Sequence, residues 1–192
     1  MADIKRKGYG QVEPNHLSGI VTGQIYAQLP ADTTRTVGTN GTVTWTGIKQ
    51  LEQGQFAKYD YAAGKVNFTG DGEFMLVYNE EKLYDERKQN HKNFVYKAED
   101  FTDYEMYPRL IKTYVGDIMT TNMIGAANET SGEAEVTIGT DETLVAGAYV
   151  APNASGILTI SAKKPESGMA WKIVKVYTMP DGQPGVKIQR IQ

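Results

Sequence analysis

The amino-acid sequence predicts a mainly β protein, made of two small β-barrel or sandwich-like modules with an extended N-terminal arm and one short helical insertion. The chain of 192 residues contains 20 glycines and 12 tyrosines and is rich in threonine. Tyrosine and threonine favour strands, and glycine favours tight turns. Long runs of Ala, Leu, Glu and Lys at helical spacing are missing, and one strand-and-turn pattern occurs twice.

The repeated pattern indicates that the two modules are related. In each copy Leu-x-x-Gly-x-aromatic is followed by Gly-x-aliphatic, and then by another glycine turn and an alternating strand. The first copy contains Leu51, Gly54, Phe56, Gly64 and Val66, and the second contains Leu144, Gly147, Tyr149, Gly156 and Leu158. We expect the members of three pairs to occupy matching places: Gly54 and Gly147, Phe56 and Tyr149, Gly64 and Gly156.

Residues 1–41 are predicted to form the N-terminal arm. Glycines and prolines interrupt them, and their apolar residues keep neither a helical nor a strand period. Disordered tails are usually depleted in such residues, so we expect the arm to lie on its own domain or on a neighbouring subunit. The candidate interface residues are Tyr9, Val12, Leu17, Ile20, Ile25 and Tyr26. A disordered terminus without a role is the alternative.

The first β-module is predicted over residues 42–97. Alternating strands are expected at 42–46, 56–61, 65–69 and 74–78, with a turn at Gly70-Asp71-Gly72. Residues 79–92 form the predicted helix. Asn79 is a good N-cap there, and acidic residues come before basic ones, which suits the helix dipole.

The second β-module is predicted over residues 98–192. Its expected strands are 109–115, 118–124, 135–138, 148–151, 157–161, 171–177 and 186–191. Turn sequences separate several of them, including Gly116-Asp117 and the Pro/Gly-rich stretch 180–185. Short strands joined by glycine turns are typical of a small barrel or sandwich.

Composition excludes several classes of protein. The chain has no cysteine, so it can form neither a disulfide framework nor a cysteine-ligated zinc site. The net charge of −3 provides no positive field to attract nucleic acid. Apolar runs span only a few residues, and the charged N-terminus does not look like a signal peptide. We expect a protein without membrane or nucleic-acid partners, kept in the cytoplasm or in a particle assembled there.

No motif indicates catalysis, a metal or a cofactor. His16 and His91 lack partners at ligand spacing, and acidic pairs such as Glu99-Asp100 are typical of a solvated surface. The glycine-rich stretches do not have the spacing of phosphate-binding loops. We therefore expect a protein that is not an enzyme and that needs neither metal nor cofactor.

The tyrosines leave a second interpretation open. Their rings could stack on sugars, as in a carbohydrate-binding module, although tyrosine is also common in strands and interfaces. The candidates are Tyr59, Tyr61, Tyr104, Tyr107 and Tyr114.

Four stretches together carry a resemblance to a known class of protein. They are 8–15 (GYGQVEPN), 78–84 (YNEEKLY), 115–122 (VGDIMTTN) and 177–182 (YTMPDG). The chain resembles structural proteins encoded beside the major capsid protein in tailed bacteriophages. Residues 116–122, together with 147–150 (GAYV), look like the small β-barrels of head-decoration (cement) proteins.

The resemblance implies a non-enzymatic virion protein, assembled in the host cytoplasm, that decorates or cements the phage capsid. Its implied partners are the major capsid protein and further copies of itself, in a homo-oligomer such as a trimer. It supplies no catalytic residues. A tail-tube or other virion structural protein is the nearest alternative, and a glycan-binding module on the virion surface is the alternative from a different class.

Overall fold

The computed structural model confirms a mainly β protein with several antiparallel sheets and one short helix, with 43% strand and 6% helical residues. It describes residues 2–26, 29–78, 95–125, 135–179 and 181–192. The helix predicted over residues 79–92 lies outside the described residues.

Within the described residues, seventeen strands and one short α-helix follow one another along the chain. The first half contains β1 Asp3–Arg6, β2 Val12–His16, α1 Ser18–Val21, β3 Ile25–Tyr26, β4 Arg35–Val37, β5 Val43–Trp45, β6 Gln50–Glu52, β7 Phe56–Asp60, β8 Lys65–Asn67 and β9 Met75–Val77. The second half contains β10 Val95–Lys97, β11 Leu110–Ile111, β12 Ile118–Thr121, β13 Val136–Thr140, β14 Tyr149–Pro152, β15 Leu158–Ser161, β16 Trp171–Thr178 and β17 Pro184–Arg190. Two 3-10 turns, Ala98–Asp100 and Thr102–Tyr104, lie between β10 and β11.

Two larger sheets dominate the described part of the fold. The six-stranded sheet has the order β15-β14-β16-β17-β12-β2, and the five-stranded sheet has the order β3-β11-β9-β7-β8. Smaller two-stranded pairs join β1 to β13, β6 to β10 and β4 to β5. Among the described residues, the named strands all pair in the antiparallel direction. Two isolated bridges, Ala31–Val66 and Ile124–Leu158, are parallel.

The two predicted hairpins have matching hydrogen-bond registers, while the superposition of whole modules stays a prediction. β7 lies between β8 and β9, and β14 lies between β15 and β16. Lys58 faces Asn67 across the first hairpin, and Ala151 faces Thr159 across the second. Lys58 and Ala151 lie four residues after Gly54 and Gly147, and Asn67 and Thr159 lie three residues after Gly64 and Gly156. The four glycines of the predicted pairs have positive φ: Gly54 (86°), Gly64 (66°), Gly147 (95°) and Gly156 (72°).

One hydrophobic cluster contains residues from both predicted modules. Phe56 and Leu76 lie in it together with Trp171 and Ile188, and all four are 0% exposed. The rings of Phe56 and Trp171 are 5.9 Å apart. A second cluster contains Leu51, Val66 and Leu110, among others. The domain boundaries at 41/42 and 97/98 stay predictions. The structure shows that residues from 42–97 and from 98–192 share one hydrophobic core.

The described residues give no evidence for an extended N-terminal arm. β1 pairs with β13, and β2 pairs with β12 at the edge of the six-stranded sheet. Pro14 lies in β2, where an edge position tolerates its missing N–H group. The sequence did not predict these strands because DIKR and VEPNH lack the alternating apolar pattern of a half-buried strand.

Candidate functional site

Three of the four stretches that carry the resemblance meet at one place in the fold. Residues 8–15 form the approach to β2 and most of that strand, residues 115–122 form a turn and β12, and Tyr177 and Thr178 end β16 ahead of the turn that contains Asp181. Gln11 touches all three segments, because it lies in the first and hydrogen bonds to the other two. We call the hydrogen-bonded groups around it the Gln11 cluster: Gln11, Thr121, Asn122, Asp181 and Gln183.

The backbone of Gln11 is held by the end of β12. Its N–H donates to Oδ1 of Asn122 over 2.7 Å, and its carbonyl oxygen accepts from Oγ1 of Thr121 over 2.6 Å. Gln11, Thr121 and Asn122 are all buried. Buried backbone groups need such partners, so these contacts fix the path of the chain into β2.

The side chain of Gln11 reaches the turn between β16 and β17. Its Nε2 donates to Oδ2 of Asp181 over 2.6 Å, and Nε2 of Gln183 donates to the same oxygen over 2.7 Å. Oε1 of Gln183 in turn accepts from the backbone N–H of Lys7 over 2.7 Å. The exposed end of the cluster therefore joins the chain before β2 to the turn before β17.

Asp117 performs a similar role at the other end of β12. It is 0% exposed, and its Oδ1 accepts from both the N–H (3.0 Å) and the hydroxyl (2.6 Å) of Ser18. Its Oδ2 accepts from the N–H of Tyr114 over 2.9 Å. One carboxylate thus fixes both the start of α1 and the turn before β12. Charge-assisted bonds of this kind are stronger than neutral ones.

A buried ion pair lies beside the Gln11 cluster. Nη2 of Arg6 is 3.1 Å from Oε2 of Glu52, and the two side chains are 2% and 3% exposed. The N–H of Gly10 donates to the same carboxylate oxygen over 2.6 Å. Burial lowers the pKa of the Arg6 guanidinium, while the charge of Glu52 and its hydrogen bond oppose that change. The pair ties β1 to β6.

Sequence reasoning selected the stretches around Gln11 but missed the residues that join them. Arg6 and Glu52 are 46 positions apart and look like ordinary surface charges in sequence. The one available signal was that Gln11, Asn122 and Asp181 all lie within the stretches that carry the resemblance.

The six predicted interface residues differ widely in accessibility. Val12 and Leu17 are 4% and 2% exposed and belong to the chain's own core. Ile20 and Ile25 are half-buried and pack against that core. Tyr9 is half-buried, with Nζ of Lys97 at 5.3 Å from its ring centre, and Tyr26 is 41% exposed. Of the six, Tyr26 is therefore the most accessible to a partner.

The other candidate groups do not come together in one site. His16 lies at the exposed end of β2, and His91 is outside the described residues. Within the described ranges, no group of three or more His, Asp or Glu side chains could hold a metal ion. Tyr59 and Tyr61 contact each other, whereas Tyr104 contacts Trp45.

No described helix is long and apolar enough to span a lipid bilayer. Comparison with known proteins places the chain in no group: no protein-family model, curated protein or solved structure matches it.

The Gln11 cluster predicts a specific dependence of stability on pH. Burial raises the pKa of Asp181, but the hydrogen bonds from Gln11 and Gln183 together outweigh it, so the folded-state pKa lies below the usual 3.8. A lowered pKa means that the carboxylate stabilises the fold above the unfolded-state pKa. This contribution is lost as the pH falls through the folded-state value.

We therefore expect Asp181→Asn to be less stable than the wild type at pH 7 and equally stable well below pH 3.8. Urea unfolding of both proteins across this range measures the difference. Asp141→Asn, in the exposed turn after β13, is the matched control. A gap between wild type and Asp181→Asn that persists unchanged into strong acid would contradict the assignment.

Proposed function

We propose that the chain is a non-enzymatic structural protein of a tailed-phage virion that decorates or cements the capsid. The meeting of three resemblance-bearing stretches at Gln11 is the observation that carries this proposal. Short motifs scattered through a glycine-rich chain could match by chance. Motifs that hydrogen bond to one another form a single structural unit, so their joint presence supports a shared fold.

The hydrogen bonds of the buried polar side chains also agree with a structural role. The polar groups around Gln11 and Asp117 bind backbone N–H and C=O groups, and so act to hold segments in place. The proposed partners are the major capsid protein and further copies of the chain. A tail-tube protein remains the nearest alternative, and it predicts stacked rings in place of small closed oligomers on a lattice.

The proposed contact with the capsid involves the edge of the five-stranded sheet. β3 is the edge strand there, and Tyr26 on β3 is 41% exposed. Val21, at the end of α1, is 77% exposed. Exposed apolar and aromatic side chains beside a strand edge suit protein contacts, and aromatic residues are enriched at interfaces.

Deleting residues 1–30 is unsuitable as a test, because it would remove β1, β2 and two buried core side chains, Val12 and Leu17. Point substitutions avoid that difficulty. We expect Val21→Asp combined with Tyr26→Asp to weaken attachment to the capsid about tenfold or more, because each change places a charge in the apolar contact.

The measurement is co-sedimentation of purified protein with particles from a phage strain that lacks the gene, followed by immunogold labelling. The control combines Val37→Asp with Val174→Asp, two exposed positions on β4 and β16, which lie outside the five-stranded sheet. Gold on the head, with loss only in the first variant, supports the proposal. Labelling confined to the tail, or full attachment of the first variant, contradicts it.

A further inference from the structure

A cleft of about 380 Å³ opens between the β5–β6 region and the turn that precedes β15. Small-molecule sites commonly have volumes of roughly 300–1,000 Å³ and combine apolar walls with a few fixed polar groups. This cleft has both kinds of lining: Trp45 and Phe68 contribute aromatic rings, and Gln50, Glu52, Gln55 and Ser155 contribute polar groups.

Neighbouring side chains hold the Trp45 ring. It packs edge-on against the ring of Tyr104, with the ring centres 5.9 Å apart, and the Arg35 guanidinium lies 3.5 Å from the centre of the Tyr104 ring. Asp103 and Tyr104 have positive φ, at 57° and 61°. Such backbone strain persists only where surrounding contacts enforce it. The aromatic wall is therefore fixed before any ligand arrives.

The polar side of the cleft is also fixed, and part of its hydrogen-bonding capacity is unused. Gln55 donates to the carbonyl oxygen of Ser155 over 2.7 Å and accepts the Glu52 N–H over 2.9 Å. Glu52 uses Oε2 for Arg6 and Gly10, whereas its Oε1 has one long contact, 3.4 Å, from Nε2 of Gln50. A carboxylate oxygen can accept two good hydrogen bonds, so Oε1 can receive a ligand hydroxyl.

The two charged groups that line the cleft, Glu52 and Lys49, are both paired. Glu52 is paired with buried Arg6, and Lys49 at the rim lies 3.4 Å from Glu99. The Arg35 guanidinium, which is not part of the lining, lies 5.8 Å from the centre of the Trp45 ring. A neutral ligand with hydroxyl groups on its edge and an apolar face can bind without displacing either ion pair.

We propose that this cleft binds a neutral pyranose sugar. The C–H face of the sugar ring would stack on Trp45, which excludes water from both surfaces. Its hydroxyls would donate to Oε1 of Glu52 and exchange hydrogen bonds with the Gln50 amide. This inference does not depend on attachment to a capsid.

Fluorescence of the intact protein provides the first test. The chain has two tryptophans, and Trp171 is 0% exposed in the core, so a change in emission on ligand binding reports Trp45. The probes are D-glucose, D-galactose and N-acetyl-D-glucosamine, each titrated into the millimolar range expected for ligands of this size. Adenosine serves as a planar, stacking comparison. We expect saturable binding of at least one sugar.

Variants then locate the site, with saturation-transfer NMR as a readout that does not depend on tryptophan. Trp45→Ala is expected to abolish sugar binding, and Gln50→Ala to weaken it about tenfold. Gln50→Ala decides the question if Trp45→Ala fails to fold, since the Gln50 amide makes only a long, 3.4 Å hydrogen bond to Glu52 and its loss should leave the fold intact. The control is Tyr61→Ala, an aromatic residue 73% exposed outside the cleft.

Three results would overturn the proposal. They are no saturable binding of any of the three sugars, folded Trp45 and Gln50 variants that bind like the wild type, and binding of adenosine without any sugar.

Discussion

Replacing Gly156 with Ala is expected to destabilise the protein by about 3 kcal/mol or more. A Cβ at this position would overlap the carbonyl oxygen of Phe56 and lie 2.8 Å from its carbonyl carbon. These are backbone atoms, so no side-chain rotation can relieve the overlap. Gly156 also has φ of +72°, which costs L residues roughly 1 kcal/mol or more.

The structural repeat supplies a matched control at Gly64. It occupies the same place in the first hairpin, with φ of +66°, but its added Cβ would meet only Oη of Tyr59 at 3.8 Å. Gly64→Ala should therefore show the φ penalty alone, about 1 kcal/mol. Urea unfolding monitored by circular dichroism measures both variants. Equal losses would show that the close approach of Gly156 to Phe56 does not constrain the fold.

Replacing Glu52 with Leu is expected to cost about 3–5 kcal/mol, because it leaves the buried Arg6 guanidinium without its counter-charge. The N–H of Gly10 would lose its acceptor as well. Removing one partner of a buried ion pair is usually worse than removing both, since the remaining charge must stay in a medium of low polarity.

The double substitution Arg6→Met with Glu52→Leu tests this reasoning directly. It removes both charges and is expected to recover most of the lost stability. Glu99→Gln, which breaks the exposed Lys49–Glu99 pair, is the control and should change stability by about 0–1 kcal/mol. The argument fails if the double variant is as unstable as Glu52→Leu alone.

Sequence patterns identified most of the second half of the fold. The strand predicted at 171–177 appears as Trp171–Thr178, and the strand predicted at 148–151 appears as Tyr149–Pro152. Each of the two strands follows a glycine with positive φ, Gly168 or Gly147, and the first strand alternates buried and exposed positions over its first three residues. Local pattern and tertiary packing therefore agree there. The repeat was recognisable because glycine is strongly preferred where φ is positive.

Four of the missed strands share a physical reason. β1, β2, β6 and β10 are only three to five residues long, and each pairs with a strand that is distant in sequence, as β6 pairs with β10 through Leu51 and Tyr96. Their pairing depends on residues tens of positions away, which local propensity does not register. The cleft around Trp45 was missed for the same reason, because it joins residues 45–68 to Ser155 through the fold.

The position of β17 has a consequence for synthesis of the protein. This strand lies between β16 and β12 in the six-stranded sheet, yet it is translated after every other described strand. While the ribosome is still adding residues 184–190, β12 and β2 have no partner that joins them to β16. The sheet can therefore close only after translation of its middle strand, and non-local pairing of this kind folds slowly. A fragment released early would expose unpaired strand edges and be open to aggregation or proteolysis.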